Sequence, residues 1–133
     1  MKFVAPLGSV EVVPGFFSIV NVANPGAAFG ILKGHGSLAL ILIAIAALIL
    51  IAYLLYISTD LTTVFALSLI AGGALGNLID RIRLAEVVDF LDFYIGRYHW
   101  PAFNVADIAI TCGVIIYLTT IYRCSDKSAG EGG

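Results

Sequence analysis

At 133 residues, 60% of them hydrophobic and only 12% charged, the chain has room for one domain and is far from the balance of a soluble globule. A net charge of −2 leaves no basic face, which argues against nucleic acid as a partner. Cys112 and Cys124 would lie ~18 Å apart on a continuous helix, and His35 and His99 have no second ligand at helical spacing, so the sequence predicts no internal disulfide, no metal site and no cofactor.

Residues 1–15 lack the apolar stretch of a signal peptide, because Pro6 and Gly8 interrupt it. Phe16 to Ala23 is rich in β-branched and aromatic residues and is bounded by Pro14-Gly15 and Pro25-Gly26, which predicts a strand pairing with Val10 to Val13. Residues 1–35 therefore read as a small surface β region, with Asn24 a natural turn residue before Pro25-Gly26.

Residues 38–58 carry no charge and are long enough to cross the ~30 Å hydrocarbon core of a bilayer. Ser58, Thr59 and Asp60 then supply a short turn with N-cap candidates, so residues 61–79 should return antiparallel as a second span. Gly72 and Gly76 form a small-xxx-small pair suited to helix packing. Gly73, Asn77 and Arg81 step by four along one helix face, where an amide and a guanidinium can hold a substrate backbone.

The aromatic-rich residues 80–103 suit the headgroup level and predict a surface amphipathic segment of short helical or irregular structure. Residues 104–122 form the third expected span, and the polar residues 123–133 are expected to be disordered. The fold expectation is an all-α integral membrane protein: one membrane domain with three transmembrane helices, a small β-sheet and an amphipathic segment on the outer membrane face.

An aspartate deep in a membrane helix costs ~2.5–3.5 kcal/mol, which makes Asp107 the least expected residue of the chain. It has a structural explanation, as the third helical residue after an Asn104 N-cap, and a catalytic one. Asp89 alone would be a solvated loop charge. The ends of the second and third spans share one membrane face, however, and a loop folding Asp89 back over Asp107 would create a carboxylate pair able to divide general acid and general base work.

The segments NPGAAFG (Asn24 to Gly30), GGALGNLIDR (Gly72 to Arg81), VVDFLDFY (Val87 to Tyr94) and PAFNVADIAI (Pro101 to Ile110) resemble, in order and spacing, the lipoprotein signal peptidases, or type II signal peptidases. Members of that family are aspartyl endopeptidases of bacterial inner membranes that cut diacylglyceryl-modified prolipoproteins just before the lipidated cysteine. The resemblance implies that Asp89 and Asp107 are the catalytic pair, working without a metal, and that Asn24, Gly73, Asn77, Arg81 and Asn104 line the substrate site. It also implies membrane lipid as surroundings, inhibition by globomycin-type antibiotics, and an active site towards the periplasmic or outer face. The sequence begins at the sheet that follows the family's first helix, so that helix is expected to be lacking. The alternatives are a non-catalytic remnant that binds prolipoprotein or inhibitor, and a structural or transport protein with an intramembrane Asp107–Arg81 ion pair.

Overall fold

The computed structural model describes residues 9–26 and 36–130. The readings made for the first eight residues, for the Ala27-to-Gly30 part of the NPGAAFG motif and for His35 lie outside them. Helices α1 (Gly36–Ile57), α2 (Leu61–Leu84) and α3 (Val105–Gly130) are the long elements. Each contains a stretch long and apolar enough to cross a membrane, with mean hydropathies of 3.2, 1.6 and 1.8. Their burial pattern runs opposite to that of a water-soluble bundle: Leu42, Ile49, Tyr56, Leu61 and Leu118 are all exposed. Leaving that much apolar surface in water would forfeit about 25 cal/mol per Å², so lipid is the solvent these helices fit.

Local chemistry sets the helix ends. Asp60 caps α2: its carboxylate accepts the Thr63 N–H at 2.7 Å and its carbonyl accepts the Val64 N–H at 3.0 Å. The second span, expected to end at Ile79, continues to Leu84 and stops where Ala85 turns left-handed (φ 62°), its N–H bonded to the Arg81 carbonyl. No glycine marks that stop. The tail expected to be disordered from residue 123 is instead helical as far as Gly130, since no proline or glycine interrupts residues 123–128 and the helix simply continues its own bonds.

The chain divides into two compact units, Met1–Ile43 with Asn77–Val105, and Ala44–Gly76 with Ala106–Gly133. In the second unit α2 and α3 approach closely at glycines. A Cβ on Gly73 would strike the Ala106 carbonyl and come within 2.7 Å of Ile110 Cγ1. One on Gly113 would lie 2.6 Å from Ile70 Cγ1 and 2.7 Å from the Ala66 carbonyl. The small-residue contact thus runs through Gly73 and Gly113. Of the pair expected from spacing, Gly76 makes ordinary contact with Ala106, while Gly72 has open space around it.

The first unit holds a four-stranded antiparallel sheet in the order β1 (Val10–Val13), β2 (Phe17–Asn24), β3 (Val87–Ile95), β4 (Tyr98–His99). From Val87 onward, the segment expected to be short helix or irregular is therefore mainly strand. Val87 to Ile95 alternates side chains between two faces, and its aromatic density serves pairing with β2 as well as it would serve a headgroup layer. Gly96, at φ 62° ahead of Arg97, makes the two-residue β3–β4 turn a II′ type. Past that turn the chain doubles back along β3, and Phe103 forms an isolated bridge with Leu91.

Glu11 ties the β1 hairpin to β3, accepting the Gly15 N–H at 2.9 Å and the Tyr94 hydroxyl at 2.7 Å. These bonds hold its carboxyl below the ordinary 4.5.

Replacing Gly113 by leucine should lower stability by about 1–3 kcal/mol through overpacking, whereas Gly72→Ala should leave it unchanged; thermal unfolding in detergent measures both. Because the folded value of Glu11 is depressed, its tie is fully present above pH 4.5 and is lost as the pH falls through the lowered value. Exchange protection of the Gly15 amide should therefore fall on acidification in the parent chain and be low at every pH in Glu11→Ala, which has no side-chain acceptor.

Candidate active site

An ionised carboxylate can only accept hydrogen bonds, so a buried aspartate needs donors aimed at it. Asp89 on β3 is 2% exposed, and each of its oxygens accepts an amide N–H. Asn24 Nδ2 donates to Oδ2 at 2.8 Å, and Asn104 Nδ2 donates to Oδ1 at 3.0 Å. The second hydrogen on Asn104 Nδ2 goes to Asn77 Oδ1 at 3.1 Å. Hydrogen bonds to a charged group contribute about 1.5–3 kcal/mol each, more than neutral ones.

The strands explain why these side chains meet. Residues opposite one another in an antiparallel pair share a face, and β2 enters opposite β3 with Phe17 against Phe93 and Ile19 against Leu91. The register then shifts, Val20 and Asn21 together facing Phe90, so that Val22 opposes Asp89 and Asn24 opposes Val87. Without the extra residue Asn24 would point to the other face; with it, Asn24 shares a face with Asp89, two residues from its partner. The outer amide atom is used too: Asn24 Oδ1 accepts the Gly26 N–H at 3.0 Å, closing the turn expected at Asn24-Pro25-Gly26. Asn24 thus both closes the turn and donates to Asp89.

Asn104 arrives from the other side of β3. The Phe103 carbonyl accepts the Leu91 N–H at 2.9 Å and the Phe90 N–H at 3.1 Å, while the Phe103 N–H returns to the Leu91 carbonyl at 3.1 Å. Asn104, the next residue, is 4% exposed and immediately precedes α3, in the N-cap position read from the sequence. Asn77 and Arg81 lie one turn apart on α2, as their spacing of four required, and Arg81 Nη1 donates to the Asn77 carbonyl at 3.2 Å. Arg81 Nε is buried and has no acceptor among the described residues.

The first unit accordingly brings together Asn24, Asn77, Arg81, Asp89 and Asn104. Gly73 and Asp107 belong to the second unit, Gly73 at the α2–α3 contact and Asp107 in the first turn of α3. Among the described residues, no three His, Cys, Asp or Glu side chains cluster as metal ligands would. On the sheet, a groove of about 400 Å³ is lined by Val20, Val22, Trp100, Pro101 and Ala102, with Asp92 and His99 also in its lining. His99 Nδ1 lies 3.0 Å from Asp92 Oδ2. Sequence spacing did not single out Phe93 and Phe103, whose rings stack 5.8 Å apart beside the Leu91 bridge. The two-residue alternation of β3 was the available signal.

The sequence model for the family described as Signal peptidase (SPase) II matches residues 1–123. A lipoprotein signal peptidase of Syntrophus aciditrophicus is 48% identical over 127 residues, covering 90% of this chain and 79% of the relative. One from Desulforapulum autotrophicum is 46% identical over 116 residues, covering 83% and 72%. A solved bacterial membrane enzyme, determined in meso at 2.3 Å resolution, superposes with a TM-score of 0.78 at 40% identity, covering 90% of this chain and 74% of its own.

Proposed function

The chain belongs to the signal peptidase II family, and we propose that it is an aspartyl endopeptidase that removes signal peptides from diacylglyceryl-modified prolipoproteins. The observation that carries this reading is the buried Asp89 carboxylate, held on both oxygens by the amides of Asn24 and Asn104 in a chain otherwise built for lipid.

In the proposed reaction Asp89 and Asp107 divide the proton work. One carboxylate takes a proton from water as its oxygen attacks the scissile carbonyl carbon. The other, as the acid, gives its proton to the departing amine nitrogen when the tetrahedral intermediate collapses and the C–N bond breaks.

Asn24, Gly73, Asn77, Arg81 and Asn104 are the proposed substrate-site residues. The unsatisfied Arg81 Nε supports a role for that guanidinium in binding a peptide carbonyl near the lipidated cysteine. Gly73 contributes through the close α2–α3 approach, which a side chain would prevent. The groove on the sheet is suited to extended peptide beyond the scissile bond, with small apolar side chains against Val20, Val22 and Pro101. Globomycin-type inhibitors are proposed to occupy the same site. The proposed setting is a bacterial inner membrane crossed by α1, α2 and α3, with the sheet and the active site on the periplasmic side.

Cleavage of a diacylglyceryl prolipoprotein in membranes tests the reading. Asp89→Asn and Asp107→Asn should each slow cleavage by about 10²–10⁴-fold while remaining folded and inserted. Binding of prolipoprotein without turnover by the parent chain, or cleavage undiminished in either variant, would contradict it.

A further inference from the structure

We propose that Phe103 is a positioning residue, clamped by Phe93, that sets the Asn104 amide on Asp89. Asn104 must place a single nitrogen within hydrogen-bond reach of two acceptors, Asp89 Oδ1 at 3.0 Å and Asn77 Oδ1 at 3.1 Å. Its own position is not fixed by a regular strand pair, because β4 ends at His99 and only the single bridge at Phe103 follows.

The Phe103 ring supplies the missing constraint. It stacks on Phe93 at 5.8 Å with the planes 11° apart. Phe93 is in turn stacked on Phe17 at 4.7 Å and met edge-on by Phe16 at 5.5 Å. Phe93 projects from the same face of β3 as Leu91 and Asp89 by strand alternation. One aromatic column therefore starts on β2, passes through β3 and ends on the residue before Asn104. The three backbone bonds between Phe103 and the Phe90–Leu91 stretch fix that residue's height along β3, and the ring stack fixes its rotation. Hydrogen-bond geometry tolerates little displacement, so a clamp beside the amide sets how well it meets the carboxylate.

The inference rests on Asp89 acting in catalysis, and two readouts keep it separable from that reading. The first needs no activity: side-chain amide exchange of Asn104 in the ¹⁵N-asparagine-labelled chain in micelles, the signal assigned by its loss in Asn104→Ala. Phe103→Leu should lower its protection on the order of tenfold, Phe93→Leu should do the same with the Phe103 residue itself intact, and Phe103→Tyr should restore it. Unchanged protection in the two leucine variants would overturn the proposal. The second is prolipoprotein cleavage. Phe103→Leu should reduce kcat about tenfold with KM held within about twofold, and combining it with Asn104→Ala should cost no more than Asn104→Ala alone. Additive losses would mean that Phe103 acts by another route and would overturn the proposal. If Asp89→Asn cleaves like the parent chain, the catalytic reading falls, and the exchange measurement still decides the positioning.

Discussion

A carboxylate buried among protein groups needs hydrogen-bond donors from the protein itself, and the first unit is organised around supplying them to Asp89. Asp89 is nearly inaccessible, and both of its oxygens are met by asparagine amides. The donors come from chain segments far apart in sequence: Asn24 at the end of β2 and Asn104 just before α3, with Asn77 of α2 accepting the second Asn104 hydrogen. Removing one donor would leave a charged oxygen short of a bond at a depth where that is costly. An amide is well suited to this duty, because it donates from one atom and accepts on another without adding charge.

Backbone devices bring the donors in. On one side the extra residue in β2 at Val20–Asn21 turns Asn24 onto the Asp89 face. On the other, the II′ turn at Gly96 and the Leu91–Phe103 bridge return the chain along β3 and deliver Asn104. Such irregularities are tolerated where they re-aim a side chain: the bulge sets the face that Asn24 presents, and the Phe103 bridge immediately precedes Asn104. In the second unit glycines do the corresponding work for helices, letting α2 and α3 approach at Gly73 and Gly113.

Sequence alone reveals the features that local composition decides. The three spans, the Asp60 cap, the β1–β2 pair and the Asn24 turn depend on residues within one element or on neighbours in sequence, and all are present. Strand β3 is not legible from local composition because its partner, β2, lies more than sixty positions earlier. The two-residue alternation of Val87 to Ile95 fits a strand, but its aromatic content fits a headgroup-level segment equally well. The end of α2 carries no local stop signal because Ala85, not a glycine, takes the left-handed position. The packing role of Gly113 depends on how α3 is rotated against Ile70 and Ala66, which spacing along one helix does not fix. The amide set around Asp89 was foreshadowed by motif and order, but the assignment of each nitrogen to each oxygen required the register.

The most direct measurement is the single-turnover cleavage rate of a diacylglyceryl prolipoprotein by the parent chain, Asn24→Ala, Asn104→Ala and the double variant. If the amides serve the reaction by holding Asp89, each single variant slows the chemical step, and the double variant shows a coupling between the two, since both act on one carboxylate. Rates equal to the parent's in both single variants, with the protein folded and inserted, would contradict the central role given to that carboxylate and its donors.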